Sequence, residues 1–263
     1  MDGGEGAELS GGRRSIWIGA LVLALALALV FWRVAGFEFL LYDDDLYLTN
    51  NPAVQEGLTP DAIAWALTTL HEGIYQPVTW LSYLTDITIF GMNPGAMHVV
   101  NLLLHLLVSL MLWRVLARAT QNARAAFVAA LLFALHPLQV QSVAWIAGRS
   151  GLLAALFGLV AIDQWIKRIN EGDKRAGVLA HLAFAVSLLA KPVLLPLPFL
   201  LLLIDRWPLQ RHVQRRVQWR EKIWMFAIAV GGTVLAAFAQ ASTNALSTLD
   251  EVGMGPRLAN AVL

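Results

Sequence analysis

The stretch SIWIGALVLALALALVFWRVAGF, residues Ser15–Phe37, decides the fold class. A helix needs about 20 mostly apolar residues to cross roughly 30 Å of hydrocarbon, and this run meets that length with one charge, Arg33. The basic pair Arg13-Arg14 precedes it, as in a secretory leader. A leader's apolar core is about 7–15 residues long, however. The longer run predicts an uncleaved membrane span.

Working outward, the whole chain supports that reading. Of its 263 residues, 58% are hydrophobic and 14% charged, with a mean hydropathy of +0.62. A soluble domain carries about a quarter charged residues, so here lipid must cover much of the surface. Further apolar runs lie near 96–117, 125–135, 151–166, 177–190, 193–204 and 223–240. The expected fold class is an all-α polytopic membrane protein of about seven spans. The third to sixth are interrupted by His136-Pro137, Lys191-Pro192, Pro196 and Pro198. Such breaks are tolerated at membrane depth only where protein or a watery cavity satisfies the freed backbone groups. Residues 1–14, Gly-rich at first, are expected to form a disordered cytoplasmic N-terminus. Residues 15–263 are then the membrane domain, with a first outer loop over about 38–95. Leu258–Leu263 reads as the start of another apolar helix, as in part of a longer protein.

Orientation follows from Lys and Arg placement. With the N-terminus inside, the cytoplasmic segments hold fifteen of the nineteen basic residues, and Arg33, Arg149, Lys191 and Arg257 remain outside. No Lys or Arg lies between Arg33 and Arg114, whereas that loop holds Glu38, Asp43, Asp44, Asp45, Glu56, Asp61, Glu72 and Asp86. Within it, 61–69 and 76–90 are expected to be amphipathic helices docked on the bilayer surface, with Thr59 as N-cap and Trp65, Trp80 and Tyr83 facing the interface. Cysteine is absent, which excludes disulfides and thiolate metal sites. The short basic run Arg206–Lys222 is explained by topology, and no nucleic-acid partner is expected.

Four constellations could carry chemistry. Tyr42-Asp43-Asp44-Asp45 places three carboxylates outside the first span. Crowded carboxylates raise one another's pKa, and one could take a proton from an acceptor hydroxyl; the plain alternative is a solvated acidic turn. His136, ending the third span, is either a catalytic group or an interfacial cap. Arg149 and Lys191, costly at membrane depth, either pair with Asp43, Asp44 or Asp45 or clamp a phosphate. His98, Asn101, His105 and Ser109 share one helix face at offsets of 3, 4 and 4. Hydrogen bonding between helices is the common use of such a stripe, so no metal site is expected.

These residues also carry a resemblance. Phe39-Leu40-Leu41-Tyr42-Asp43-Asp44-Asp45 with Asn50-Asn51-Pro52 resembles the first-loop motif of bacterial polytopic proteins bearing C-terminal tetratricopeptide repeats. Those are similar to the eukaryotic transmembrane and tetratricopeptide-repeat protein O-mannosyltransferases. The likeness continues through 76–82, His98, 101–105, 134–137, 142–145, 190–192 and 203–209, and so covers roughly 37–263. It implies a GT-C glycosyltransferase fold, a polyprenyl-phosphate sugar as donor and a protein hydroxyl as acceptor on the outer face of a bacterial inner membrane. In that scheme Asp43 and Asp44 match the family's acidic pair, His136 orients the acceptor, and Arg149 and Lys191 hold the donor phosphate. The polar stripe His98, Asn101 and His105 supports them, and no cofactor is required. The family's second outer loop reads His-Pro-x-His-x-Glu, and here Gln139 and Gln141 replace the second His and the Glu. Gln keeps hydrogen bonding and loses charge and proton transfer. The rival reading is a non-catalytic membrane anchor for a repeat domain that binds partners.

Overall fold

The computed structural model describes residues 4–211, 214–243, 255 and 259, with side chains for 15–211, 214 and 216–243. Among these residues every regular element is helical. In chain order the α-helices are α1 (Gly4–Phe31), α2 (Pro52–Gln55), α3 (Pro60–Thr68), α4 (Pro77–Phe90), α5 (Pro94–Thr120) and α6 (Ala123–Ala134). Then follow α7 (Gln139–Val143), α8 (Arg149–Glu171), α9 (Lys174–Ala190), α10 (Leu197–Arg206), α11 (Arg215–Glu221) and α12 (Ile223–Ser242).

All seven apolar runs are helices, and four stretches are long and apolar enough to cross a membrane: Ser15–Gly36, Pro94–Thr120, Ile146–Glu171 and Ile223–Ser242. The other three runs form α6, α9 and α10, of 12, 17 and 10 residues. Residues 1–3 lie outside the described residues, and from Gly4 the backbone of the segment expected to be disordered is helical. Arg257 and the apolar start at 258–263 also fall outside them, Ala259 excepted.

Local sequence sets the helix boundaries. Asn51, Thr59 and Asn93 cap helices whose first residue is Pro52, Pro60 or Pro94. Proline's missing N–H costs nothing there, and the cap's oxygen takes the next free amide. Asn122 and Asp173 cap α6 and α9 in the same way. Gly172 ends α8 in the left-handed region, at φ 69°, which a residue without Cβ reaches freely.

Two cores dominate. The first packs α8, α9, α10 and α12 around Trp165, Phe184, Leu201 and Met225. Small residues let α8 and α9 approach closely, and Ser187 Oγ donates to the Ala154 carbonyl at 2.8 Å. The second core belongs to the outer loop, where Trp80, Tyr83, Leu84 and Met97 pack with Leu48, Val54 and Ile146. The loop is ordered, as expected, but its aromatic residues face inward. Trp80 and Tyr83 are 0% exposed, and Trp65 packs on Trp80 with ring centroids 5.2 Å apart. A face of aromatic residues at helical spacing suits its own core as well as a lipid interface, so periodicity could not separate the two.

At the other end of the bundle, buried carboxylates are neutralised by basic neighbours. Asp163 receives Arg114 Nε at 3.1 Å and Arg118 Nη1 at 2.9 Å. Asp205, fully buried, meets Lys222 Nζ at 2.5 Å and accepts from Trp165 Nε1 at 3.1 Å. Arg211 bridges Asp205 to Glu221.

Candidate functional site

The chain leaves α1 through a 3-10 turn, Trp32–Gly36, and reaches the acidic triplet ahead of a π-helical turn, Asp45–Thr49. The triplet's members have different surroundings. Asp44 is 0% exposed, whereas Asp43 and Asp45 are half-buried. Asp44 Oδ2 accepts the Leu40 N–H at 3.1 Å and Oδ1 accepts the Ala147 N–H at 2.9 Å. The second bond ties the acidic turn to the segment leading into α8. Burial pushes the Asp44 carboxyl above the ordinary carboxylate value, and the two amides and nearby His98 pull it back only in part. Burial likewise pushes the Tyr47 phenol up to about 12, with Asp43 adding to the rise.

The segment carrying Ala147 is held in turn by a buried cage. Asn101 Nδ2 donates to the Trp145 carbonyl at 3.0 Å, and Tyr83 Oη donates to that of Ile146 at 3.1 Å. Arg149, 0% exposed, lies at the centre. Its Nε donates to Asn101 Oδ1 at 2.8 Å and its Nη2 to the Met97 carbonyl at 3.1 Å. Its Nη1 stands 2.5 Å from Asp86 Oδ2, and its Cζ lies 4.9 Å from the Tyr83 ring centre. Burial pushes the Asp86 carboxyl up, and the guanidinium opposes this.

The expected partners of Arg149 were Asp43, Asp44, Asp45 or a phosphate. The structure gives it Asp86 instead, because α4 of the loop packs on α8 and brings that carboxylate to the guanidinium. With all three guanidinium nitrogens engaged inside the protein, Arg149 braces the turn that holds Asp44. As placed, it offers no open fork to a phosphate. Lys191 is exposed at the end of α9, and the adjoining Ala190 carbonyl accepts from Thr79 Oγ1 of the outer loop at 3.0 Å.

The stripe on α5 acts as a seam. His98 Nε2 lies 3.4 Å from the Glu38 carbonyl and His105 Nε2 3.0 Å from that of Ala134. Ser109 Oγ donates to the His105 carbonyl at 2.8 Å. Among the described residues, no three His, Asp or Glu side chains come together as a metal ion would need. His136 is exposed, and its Nδ1 accepts the Leu138 N–H at 3.2 Å, which caps the turn opening α7. Among the described residues no hydrogen bond or ion pair joins His136 or Lys191 to Asp44.

Two cavities flank this region. One of about 470 Å³ opens beside the triplet, lined by Leu40, Tyr42, Val140, Gln141 and Trp145. The Tyr42 and Trp145 rings lie 6.0 Å apart across it. The other, of about 200 Å³ and mostly apolar, lies between the outer loop, α9 and α12, with Ile74, Leu188, Pro192 and Leu235 in its wall.

Sequence reasoning missed Asp86. The signal was present in Trp80, Tyr83 and Asp86, three residues apart and therefore on one helix face. It also missed Asp163, a lone acid within an apolar run, opposite two arginines four residues apart on α5.

Fold and site together define a polytopic helical membrane protein with a folded acidic loop between α1 and α5, braced by a buried ion pair. Its homologues are the TMTC group of protein O-mannosyl-transferases. The chain is 37% identical to protein O-mannosyl-transferase TMTC1 of Mus musculus over 166 residues, 58% of this chain and 17% of that protein. It is 30% identical to TMTC4 of Homo sapiens over 177 residues, 59% of this chain and 24% of that protein. With TMTC2 of Mus musculus it shares 35% identity over 109 residues, 40% of this chain and 13% of that protein. The chain thus spans less than a quarter of these relatives' length. No family model matches it, and no solved structure does.

Proposed function

We propose that this chain is part of a membrane glycosyltransferase that moves one hexose, mannose-like, from a polyprenyl-phosphate donor to a protein Ser or Thr hydroxyl on the outer face. In the reading taken from the sequence, that face is the periplasmic side of a bacterial inner membrane. The observation that carries the proposal is the acidic turn. A half-buried carboxylate, Asp43, directly follows Tyr42 of the cavity wall, and its neighbour Asp44 is fixed by two backbone amides. The homology to protein O-mannosyl-transferases gives that turn a reaction to serve.

The chemistry is an inverting displacement. The acceptor oxygen forms a bond to the sugar's anomeric carbon as the bond from that carbon to the phosphate oxygen breaks. The hydroxyl proton passes to a carboxylate of the turn, and the lipid phosphate leaves as an anion. We give the proton to Asp43, half-buried where Asp44 is fully buried, and the turn's geometry to Asp44. Lys191, exposed and followed by Pro192 of the apolar cavity's wall, is given the departing phosphate, with the prenyl chain along that wall. Arg149 contributes by bracing the Ala147 amide. His136 and Gln141 border the acceptor side.

Gln139 and Gln141 favour the second reading, a membrane anchor without turnover. Gln141 lies in the wall of the cavity beside the triplet and cannot exchange a proton. The deciding experiment uses the purified full-length protein and measures donor binding and single-turnover sugar transfer to a Ser/Thr peptide. Donor binding with transfer supports the enzyme; a wild type that binds no polyprenyl-phosphate sugar establishes the anchor.

A further inference from the structure

At the end of the bundle remote from the acidic loop, α1, α5 and the end of α8 enclose a cavity of about 710 Å³. This falls in the range of roughly 300–1,000 Å³ typical of built ligand sites, far above the space that one water or ion needs. Trp17, Leu110, Met111 and Trp113 give it an apolar wall, while Arg114 and Arg118 form its polar edge. Two of the lining helices, α1 and α5, hold spans long and apolar enough to cross a membrane, so its apolar wall is built on membrane-span candidates.

We propose that this cavity holds a single glycerophospholipid with an anionic headgroup, its phosphate on Arg114 and Arg118 and an acyl chain along the Trp17–Trp113 wall. The site is separate from the acidic turn and does not depend on the transferase reading. Two observations carry it. The first is charge: two guanidinium groups face one buried carboxylate, Asp163, which leaves an excess positive charge at the cavity edge. Glu171, also in the lining, is exposed at the rim, as is 53% of the Arg114 side chain, so the excess is local to the cluster on Asp163.

The second is donor capacity. Among the described hydrogen bonds, Arg114 spends only Nε and Arg118 only Nη1, both on Asp163. Arg114 keeps two terminal nitrogens and Arg118 keeps Nη2 and Nε for an outside acceptor, and a guanidinium fork matches the oxygens of a phosphate. Asp163 holds both forks in register, so little ordering remains to be done when a headgroup arrives. Basic pockets between membrane helices recognise anionic headgroups on these grounds.

The test is native mass spectrometry of the full-length protein, delipidated in neutral detergent and titrated with phosphatidylglycerol or phosphatidylcholine. Wild type is expected to retain one phosphatidylglycerol per chain in preference to phosphatidylcholine. Arg114→Gln, which leaves Arg118 on Asp163, should cut that preference about fivefold, the typical weight of one basic side chain at such a headgroup. Ala20→Phe fills the cavity without touching the ion pairs and should abolish retention. Ala117→Phe serves the same purpose if α1 packs poorly with the larger residue. Equal retention of both lipids by wild type overturns the proposal, as does an unchanged preference in Arg114→Gln.

Discussion

Asp43 and Asp44 are chemically identical neighbours, and the fold gives them different work. Asp44→Asn places an amide NH₂ against the Leu40 N–H or the Ala147 N–H, so it loosens the turn, whereas Asp43→Asn removes the carboxylate proposed as base. Asp43→Asn should therefore bind the polyprenyl-phosphate sugar as wild type does while single-turnover transfer falls about 10²–10⁴-fold. Wild-type transfer in both variants would refute the role given to the turn. The raised pKa of Asp44 has a sign that stability can reveal. Its folded carboxyl keeps its proton to a higher pH than in the unfolded chain. It therefore adds stability at low pH, and that contribution is lost as pH rises through the raised value. Melting curves across acid pH should show a larger loss in wild type than in Asp44→Asn, where, among the described residues, Asp86 alone keeps a raised carboxyl. Arg149 supplies a third test. Asp86→Asn strands a buried guanidinium and should cost about 3–5 kcal/mol, while Asp86→Asn with Arg149→Met should restore much of it, because removing both charges removes the desolvation penalty. Thermal unfolding of the four proteins checks the cycle, and additive losses would show that the pair is not coupled. The acidic triplet, the stripe and the basic pair were legible as residue types at telling positions. The pairing of Arg149 with Asp86 was not, since 63 residues separate them and only the packing of α4 on α8 joins them.

At the scale of elements, the caps are the features most directly written in the chain. Thr59 was readable as the cap of α3, and the Asn-Pro pairs at 51–52 and 93–94 follow the same logic. Asp173 is a more demanding case. Its side chain accepts from the Arg175 and Ala176 amides and pairs with Lys167 Nζ at 3.0 Å, joining the end of α8 to the start of α9. The Lys167 hydrogen bond, first among the causes, holds this carboxyl below the ordinary value. Its contribution is therefore present above the unfolded-state pKa and is lost as pH falls through the lowered folded value. Amide hydrogen exchange at Arg175 and Ala176 should quicken in Asp173→Ala, and in wild type only once the pH drops below the usual carboxylate range. Equal exchange in both proteins at neutral pH would remove the cap from the account. The seven apolar runs were legible as helices because length and composition carry that signal. Which of them reach across a bilayer was less so, since a proline break shortens a helix without changing the hydropathy on either side.

For the whole molecule, the fifteen-to-four partition of basic residues predicts one orientation. A reporter fused after Pro52 should be active only outside the cytoplasm, and one fused after Gln210 only inside. The reverse for both fusions would move the acidic turn to the other face and end the functional reading with it. The short helices add something that a count of spans leaves out. With 12 and 10 residues, α6 and α10 rise only about 18 and 15 Å, against roughly 30 Å of hydrocarbon. Where either helix meets lipid, its ends fall short of the headgroups, and the bilayer dimples or water enters beside it. Each ångström of such mismatch carries a modest elastic cost. A bilayer built from shorter acyl chains relieves that strain, so the protein is expected to concentrate in the thinner of two coexisting lipid phases. Its distribution within a membrane would then be set by lipid chain length before any substrate is met.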